Sequence, residues 1–147
     1  MGYYDVAQIC MNGHIVTRNA NRSPEFRQNH CKKCGEPTIM QCPSCKTDIQ
    51  GEYHVDGVFV GGFTTPLPPN FCHQCGQSYP WTERKIQAAR DLADEFDELS
   101  AEDREKLKSN LDDLYKDTSQ TEVAASRFKR IMSKVGKEEM DPKVWTA

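Results

Sequence analysis

Seven cysteines and a histidine set in four short pairs, a Gly-, Pro- and Asn-rich stretch holding them, and apolar residues recurring at helical spacing beyond residue 82 predict a small zinc-stapled α+β fold. The expected architecture is a double zinc ribbon of short β-hairpins and knuckles over residues 1–81. Three amphipathic helices follow over 82–136, then a flexible tail over 137–147. A chain of 147 residues has room for one ordinary domain or two small ones.

The pairs are Cys10-x3-His14, Cys31-x2-Cys34, Cys42-x2-Cys45 and Cys72-x2-Cys75. Eight such ligands suit two tetrahedral ions with none left over, so two structural Zn2+ ions are the expected cofactors. Cys-x2-Cys makes a tight turn whose backbone N–H groups point at the thiolates. Gly35 and Gly76 directly follow two of the pairs, and Asn12-Gly13 offers the first pair a similar turn. Nothing resembles a signal peptide, and apolar runs such as Val58-Phe59-Val60 are too short to span a bilayer. A cytoplasmic chain is therefore expected, where cysteines ligate metal more readily than they form disulfides.

Four pairs can combine in three ways. His30-Cys31-Lys32-Lys33-Cys34-Gly35 echoes Phe71-Cys72-His73-Gln74-Cys75-Gly76, as two closing knuckles each preceded by an opening one. This favours sequential pairing: Cys10, His14, Cys31 and Cys34 at one site, and Cys42, Cys45, Cys72 and Cys75 at the other. A RING-like interleaved pairing and a nested pairing stay open. His30 competes with His14, although knuckle spacing favours His14. His54 and His73 fall outside the pattern.

The short pieces His14–Thr17 and Tyr53–Val55 are β-like, and such a module needs staples to fold. The first helix is expected over roughly 82–98, with Ile86, Ala89, Ala93 and Phe96 on one face. Ser100, with Asp103 three residues on, forms a capping signal for a second helix over 101–115 carrying Leu107, Leu111 and Leu114. The third, over 120–135, carries Val123, Ala124, Phe128, Ile131, Met132 and Val135, with Gly136 as its stop.

The formal net charge is -3. Two zinc sites holding seven thiolates take the loaded protein to about −6, which argues against general nucleic-acid affinity. Acidic side chains concentrate in 82–117, spaced as on solvated helix faces rather than as an acid–base pair. No phosphate-cradling glycine loop and no His-Glu-x-x-His is present. Both zinc sites are expected to be filled by protein, whereas a catalytic zinc keeps one position open. No enzyme is predicted.

The opening Tyr3-Tyr4-Asp5-Val6-Ala7-Gln8-Ile9-Cys10 with Asn12-Gly13-His14 resembles a small bacterial family called a domain of unknown function. So do Cys42-Pro43-Ser44-Cys45, Gly51-x-Tyr53-His54-Val55-x-Gly57, and Phe71-Cys72-His73-Gln74-Cys75-Gly76 running into Tyr79-Pro80-Trp81-Thr82. Asp94–Ser100 and Ala124–Lys129 also match, and the resemblance covers about residues 2–135. It implies a double zinc ribbon followed by helices and supplies no activity.

The expected function is a non-catalytic adaptor or regulator that contacts another protein in a bacterial-type cytoplasm. Its candidate surfaces are Phe59 and Phe63 in the long segment between Cys45 and Cys72, and the basic stripe Arg127, Arg130, Lys134 and Lys137. That stripe could instead face Asp91, Asp94, Glu95 and Glu98 of the first helix. The alternative function is a nucleic-acid-binding ribbon using Arg18, Arg22, Arg27, Lys32 and Lys33, with Phe26 as the aromatic near them in sequence. A redox-sensing or zinc-dependent enzyme is the third reading.

Overall fold

A computed structural model describes residues 2–58 and 66–135. The chain divides into two compact units, Met1–Thr82 and Glu83–Ala147. Their content matches the predicted class: two small antiparallel sheets around the cysteine clusters, and three helices.

In the first unit, β1 (Tyr3–Val6) pairs with β5 (Gln50–His54), and β2 (Gln8–Cys10) lies between β3 (Ile15–Thr17) and β4 (Thr38–Ile39). The register sets Tyr3 opposite His54, Tyr4 opposite Tyr53, and Ile9 opposite both Ile15 and Ile39. The β-like pieces of the sequence are present as β3 and β5; β1, β2 and β4 carried too little alternation to be read. β2 is the inner strand, and Gln8, Ile9 and Cys10 are all buried.

Burying Gln8 is tolerable because its amide is fully used. Nε2 donates to the Gln28 carbonyl and Thr38 Oγ1, both at 2.8 Å, and Oε1 accepts from the Gln28 N–H at 3.0 Å. Asp5 does similar work on the other sheet. Its buried carboxylate accepts from the N–H groups of Val6, Asn21 and Arg22, anchoring the 19–23 turn beneath β1. Gly51 sits where β5 crosses the Arg18 backbone, and a Cβ there would run into the Arg18 carbonyl oxygen.

The core of this unit is thin. Ala7, Ile9, Ile49, Tyr79 and Trp81 pack with two of the cysteines, Cys42 and Cys72. Tyr79 and Trp81 stack with ring centroids 4.6 Å apart, and the indole N–H donates to the Pro69 carbonyl at 2.8 Å.

α1 spans Pro80–Asp94, α2 Ala101–Tyr115 and α3 Thr121–Ser133. Ser100 caps α2 as its sequence indicates, its hydroxyl accepting from the Asp103 N–H at 3.2 Å. α1 is shorter than its apolar periodicity suggests. Glu95 and Phe96 close onto the carbonyls of Leu92 and Ala93 three residues back, which tightens and ends the helix. Phe96 and Leu99 thereby turn into the second core, with Ala89, Ala93, Leu107, Leu111, Phe128, Ile131 and Met132. Val123, expected on that apolar face, is exposed. Gly136 and the tail 137–147 lie outside the described residues.

Candidate metal centres

Three knuckles share one backbone pattern. The N–H of the first cysteine bonds the carbonyl five residues on: Cys31 to Glu36, Cys42 to Thr47 and Cys72 to Gln77, each at 2.8 Å. The N–H four residues after that cysteine bonds back to its carbonyl, from Gly35, Lys46 and Gly76. These three residues all take positive φ: 77° at Gly35, 65° at Lys46 and 75° at Gly76. A bridge closes the base of each loop, pairing His30 with Pro37, Gln41 with Asp48, and Phe71 with Ser78. The Cys10–His14 turn departs from the pattern. It is the β2–β3 hairpin itself, with the Cys10 N–H bonded to the His14 carbonyl at 3.0 Å.

The loops bring eight side chains into two clusters: Cys10, His14, Cys31 and Cys34; and Cys42, Cys45, Cys72 and Cys75. Within each cluster the ligand atoms lie within 4.8 Å of one another. Pairing is therefore sequential, and His14 rather than His30 joins the first cluster.

The edges fit a tetrahedron. Sulfur–sulfur separations are 3.7 Å for Cys10–Cys34, Cys42–Cys75 and Cys45–Cys72. Four thiolates bonded at about 2.3 Å to a central ion stand about 3.8 Å apart. His14 presents Nδ1, at 3.4 Å from Cys10 Sγ and 3.5 Å from Cys31 Sγ, against about 3.6 Å for a nitrogen–sulfur edge. The donor set and its spacing could hold two metal ions.

Backbone amides prepare the sulfurs for charge. The N–H groups of His14, Lys33 and Gln74 approach Cys10, Cys31 and Cys72 at 3.3–3.4 Å. The Glu36 N–H and the Asn12 side chain hold the Cys34 thiol down at about 6. The Cys75 and Gln74 N–H groups do the same for Cys72, also to about 6. Cys45 is lowered by the Thr47 hydroxyl and N–H. Cys75 goes the other way, to about 11: the Gln77 N–H lowers it, but burial and the Cys45, Cys42 and Cys72 sulfurs outweigh that bond. Four thiolates this close repel, and a central divalent cation relieves the repulsion. Burial, then the neighbouring Cys72 thiolate, pushes the Tyr79 hydroxyl up, so Tyr79 stays a neutral donor beside that sulfur.

Across residues 3–144 the chain matches the family described as "Uncharacterized protein conserved in bacteria (DUF2321)". The chain belongs to this family. No curated protein and no solved structure matches it.

In this DUF2321 member, two of the five basic residues expected to meet phosphates are occupied within the protein. Arg22 bonds His54 Nδ1, and Arg27 bonds the Ala20 carbonyl at 2.7 Å and Asn21 Oδ1 at 3.0 Å. Arg18, Lys32 and Lys33 are exposed. His54, with no role in the ligand pattern, joins Arg22 to Asn19. Aromatic surface unread in the sequence comes from Tyr3, Tyr4 and Tyr53, exposed on the β1–β5 ribbon, with Tyr4 and Tyr53 rings 4.9 Å apart. Tyr3 and Tyr4 are adjacent and both exposed, so β1 has no alternation that would have revealed this surface.

Phe59, Phe63 and Lys137 lie outside the described residues. Arg127, Arg130 and Lys134 are exposed on α3. They do not face the acidic stripe of the first helix. Lys134 pairs with Asp103 of α2 at 2.7 Å, while Asp94 of α1 pairs with Lys108 of α2 at 2.6 Å. Among the described residues no helix is long and apolar enough to cross a membrane.

Proposed function

We propose that the chain is a non-catalytic zinc-binding adaptor: a double ribbon held rigid by two structural zinc ions, which contacts another protein in a bacterial-type cytoplasm. The observation carrying this reading is that each cluster supplies four ligands from the protein itself, at tetrahedral spacing. Thiolate-rich sets with one imidazole suit zinc, and a filled coordination sphere leaves no position for an activated water. Aligned N–H···S bonds support permanent ligation over labile redox chemistry.

Metal analysis of the purified chain should return two zinc ions per protein. The cobalt-substituted protein should show the intense visible bands of tetrahedral thiolate sites, unchanged by small anionic ligands that bind open positions. A spectrum that responds to such ligands would move the reading to a catalytic metal. For the adaptor role, a pull-down with the zinc-loaded protein should retain a protein partner after nuclease and at high salt.

Nucleic-acid binding is the second reading, and the exposed Tyr4–Tyr53 pair favours it as a stacking platform. Phosphate contacts weaken steeply with salt, so a catch lost on raising salt or adding nuclease supports this reading over the adaptor.

A further inference from the structure

α2 and α3 enclose a groove of about 390 Å³. It is lined by Asp103, Lys106 and Asn110 from α2, and by Arg127, Arg130 and Ile131 from α3, with Lys134 at its end. Lys106 and Asn110 are four residues apart on one helix. Arg127, Arg130 and Lys134 recur at steps of three and four on the other, so the two rows face each other. Four cations and one carboxylate line the space.

The groups differ in what already occupies them. Lys134 is taken by Asp103 at 2.7 Å, and Lys106 by Glu102 at 3.0 Å. Among the described residues the guanidiniums of Arg127 and Arg130 have neither an ion pair nor a hydrogen bond; Arg130 is bonded only through its backbone, its carbonyl accepting from the Ser133 hydroxyl. Asn110 is only 5% exposed, and its carboxamide has no partner among the described residues although it lines the groove. Its amide is not among the sealed polar atoms without a partner, so it stays reachable from the groove and free to bond what enters.

We propose that this groove binds a phosphoryl group. Two unpaired guanidiniums and one unpaired amide N–H₂ converge on a space of small-ligand size. A carboxylate offers two oxygens and one charge. A phosphomonoester offers three terminal oxygens and close to two charges, enough to accept from both guanidinium forks and the Asn110 amide at once. Ile131 supplies apolar surface for the group that carries the phosphate. The inference does not depend on the adaptor reading and requires only that α2 and α3 fold.

The test is an NMR titration of the zinc-loaded full chain at physiological salt. One arm uses O-phosphoethanolamine, a free phosphomonoester; the other uses a short phosphoserine peptide against its unphosphorylated form. Saturable amide shifts confined to residues 103–110 and 127–134 are expected in at least one arm, and the tighter arm identifies the source. The R127Q/R130Q double variant, altered only at exposed positions, should weaken binding about tenfold or more. Asn110→Asp, which sets a carboxylate against the phosphate, should abolish it. Shifts scattered over the surface without saturation, or a double variant that binds as tightly as wild type, overturn the proposal.

Discussion

The three congruent knuckles fill their left-handed position with different residues, and that difference predicts a pair of opposite stability changes. Gly35 and Gly76 hold the left-handed residue in two of them, but Lys46 holds it in the third at φ 65°. A side chain in that region costs roughly 1–2 kcal/mol. Glycine pays back part of this through its larger freedom in the unfolded chain, roughly 0.5–1 kcal/mol. The balance favours glycine by roughly 0.5–1 kcal/mol, so Lys46→Gly should stabilise the first unit by that amount. Gly76→Ala should destabilise it by a similar amount. A Cβ added at Gly76 has no heavy atom within 4 Å, so strain rather than collision sets its cost. For a unit of this size the shifts are about 3–6 °C in melting temperature, upward and downward respectively. Thermal unfolding should be followed at fixed free zinc, because metal release couples to unfolding. In a Trp145→Phe background the buried Trp81 then reports the first unit alone. A Lys46→Gly protein no more stable than its parent, alongside a neutral Gly76→Ala, would refute the conformational argument.

Tyr115 is buried in the helical unit and its hydroxyl has no partner among the described residues; burial pushes its pKa up to about 12. Tyr115→Phe removes the stranded hydroxyl and should raise stability by about 1 kcal/mol in denaturant unfolding. Asp5→Asn should cost about 1–3 kcal/mol at neutral pH, because the carboxylate accepts three backbone N–H groups. Burial raises the Asp5 pKa, but those bonds lower it more, to a net value below 3.8. Stability from a depressed carboxylate is present above the unfolded pKa and lost as pH falls through the folded one. The gap between wild type and Asp5→Asn should therefore hold at neutral pH and narrow below about pH 3.8. His14→Ala should release about one metal ion per chain to a chelator that wild type resists, whereas His14→Cys should retain two.

The gathering of these eight side chains into two clusters was legible because coordination chemistry is local. Two cysteines separated by two residues already define a turn, and the echo between the Cys31 and Cys72 knuckles was enough to favour the pairing that the structure has. The α2 cap was legible for the same reason, since Ser100 and Asp103 are neighbours. Elements defined by distant partners were not. β4 is two residues long and exists because Thr38 and Ile39 meet Cys10 and Ile9 across a loop of more than twenty residues. The end of α1 was missed because apolar spacing continues through Phe96, while the backbone turns so that Phe96 and Leu99 reach Leu107 and Phe128. The basic stripe on α3 was visible, but its neighbour was not. Whether Lys134 meets α1 or α2 depends on helix order around the core, which one helix's periodicity does not encode. Asn110 carried no signal at all, because a polar residue inside a helix reads as solvated until a second helix covers it.

The first unit has few apolar side chains, and two members of its buried cluster, Cys42 and Cys72, also belong to the second cluster that could hold a metal ion. Ile9 and Ile49 pack in the same cluster, as do Tyr79 and Trp81, and the Tyr79 hydroxyl lies beside the Cys72 sulfur. Forming that core and gathering the four sulfurs are therefore one event. Without a cation, closing the core brings four sulfurs to within a few ångström of one another, which disfavours charging all four. With one, the same closure gains on the order of 10 kcal/mol per site, comparable to the whole stability of an ordinary domain. The first centre lacks this arrangement: Cys10 and Cys31 are buried, but neither belongs to the cluster around Trp81. Loss of the second ion should consequently expose Trp81 more than loss of the first, which acts on that cluster only through Ile9 and Ile15 of the β2–β3 hairpin. Cys72→Ser and Cys34→Ser, compared by Trp81 fluorescence and by proteolysis near Asn12, separate these outcomes. Equal exposure of Trp81 in both variants would mean that the two centres fold as a single cooperative unit.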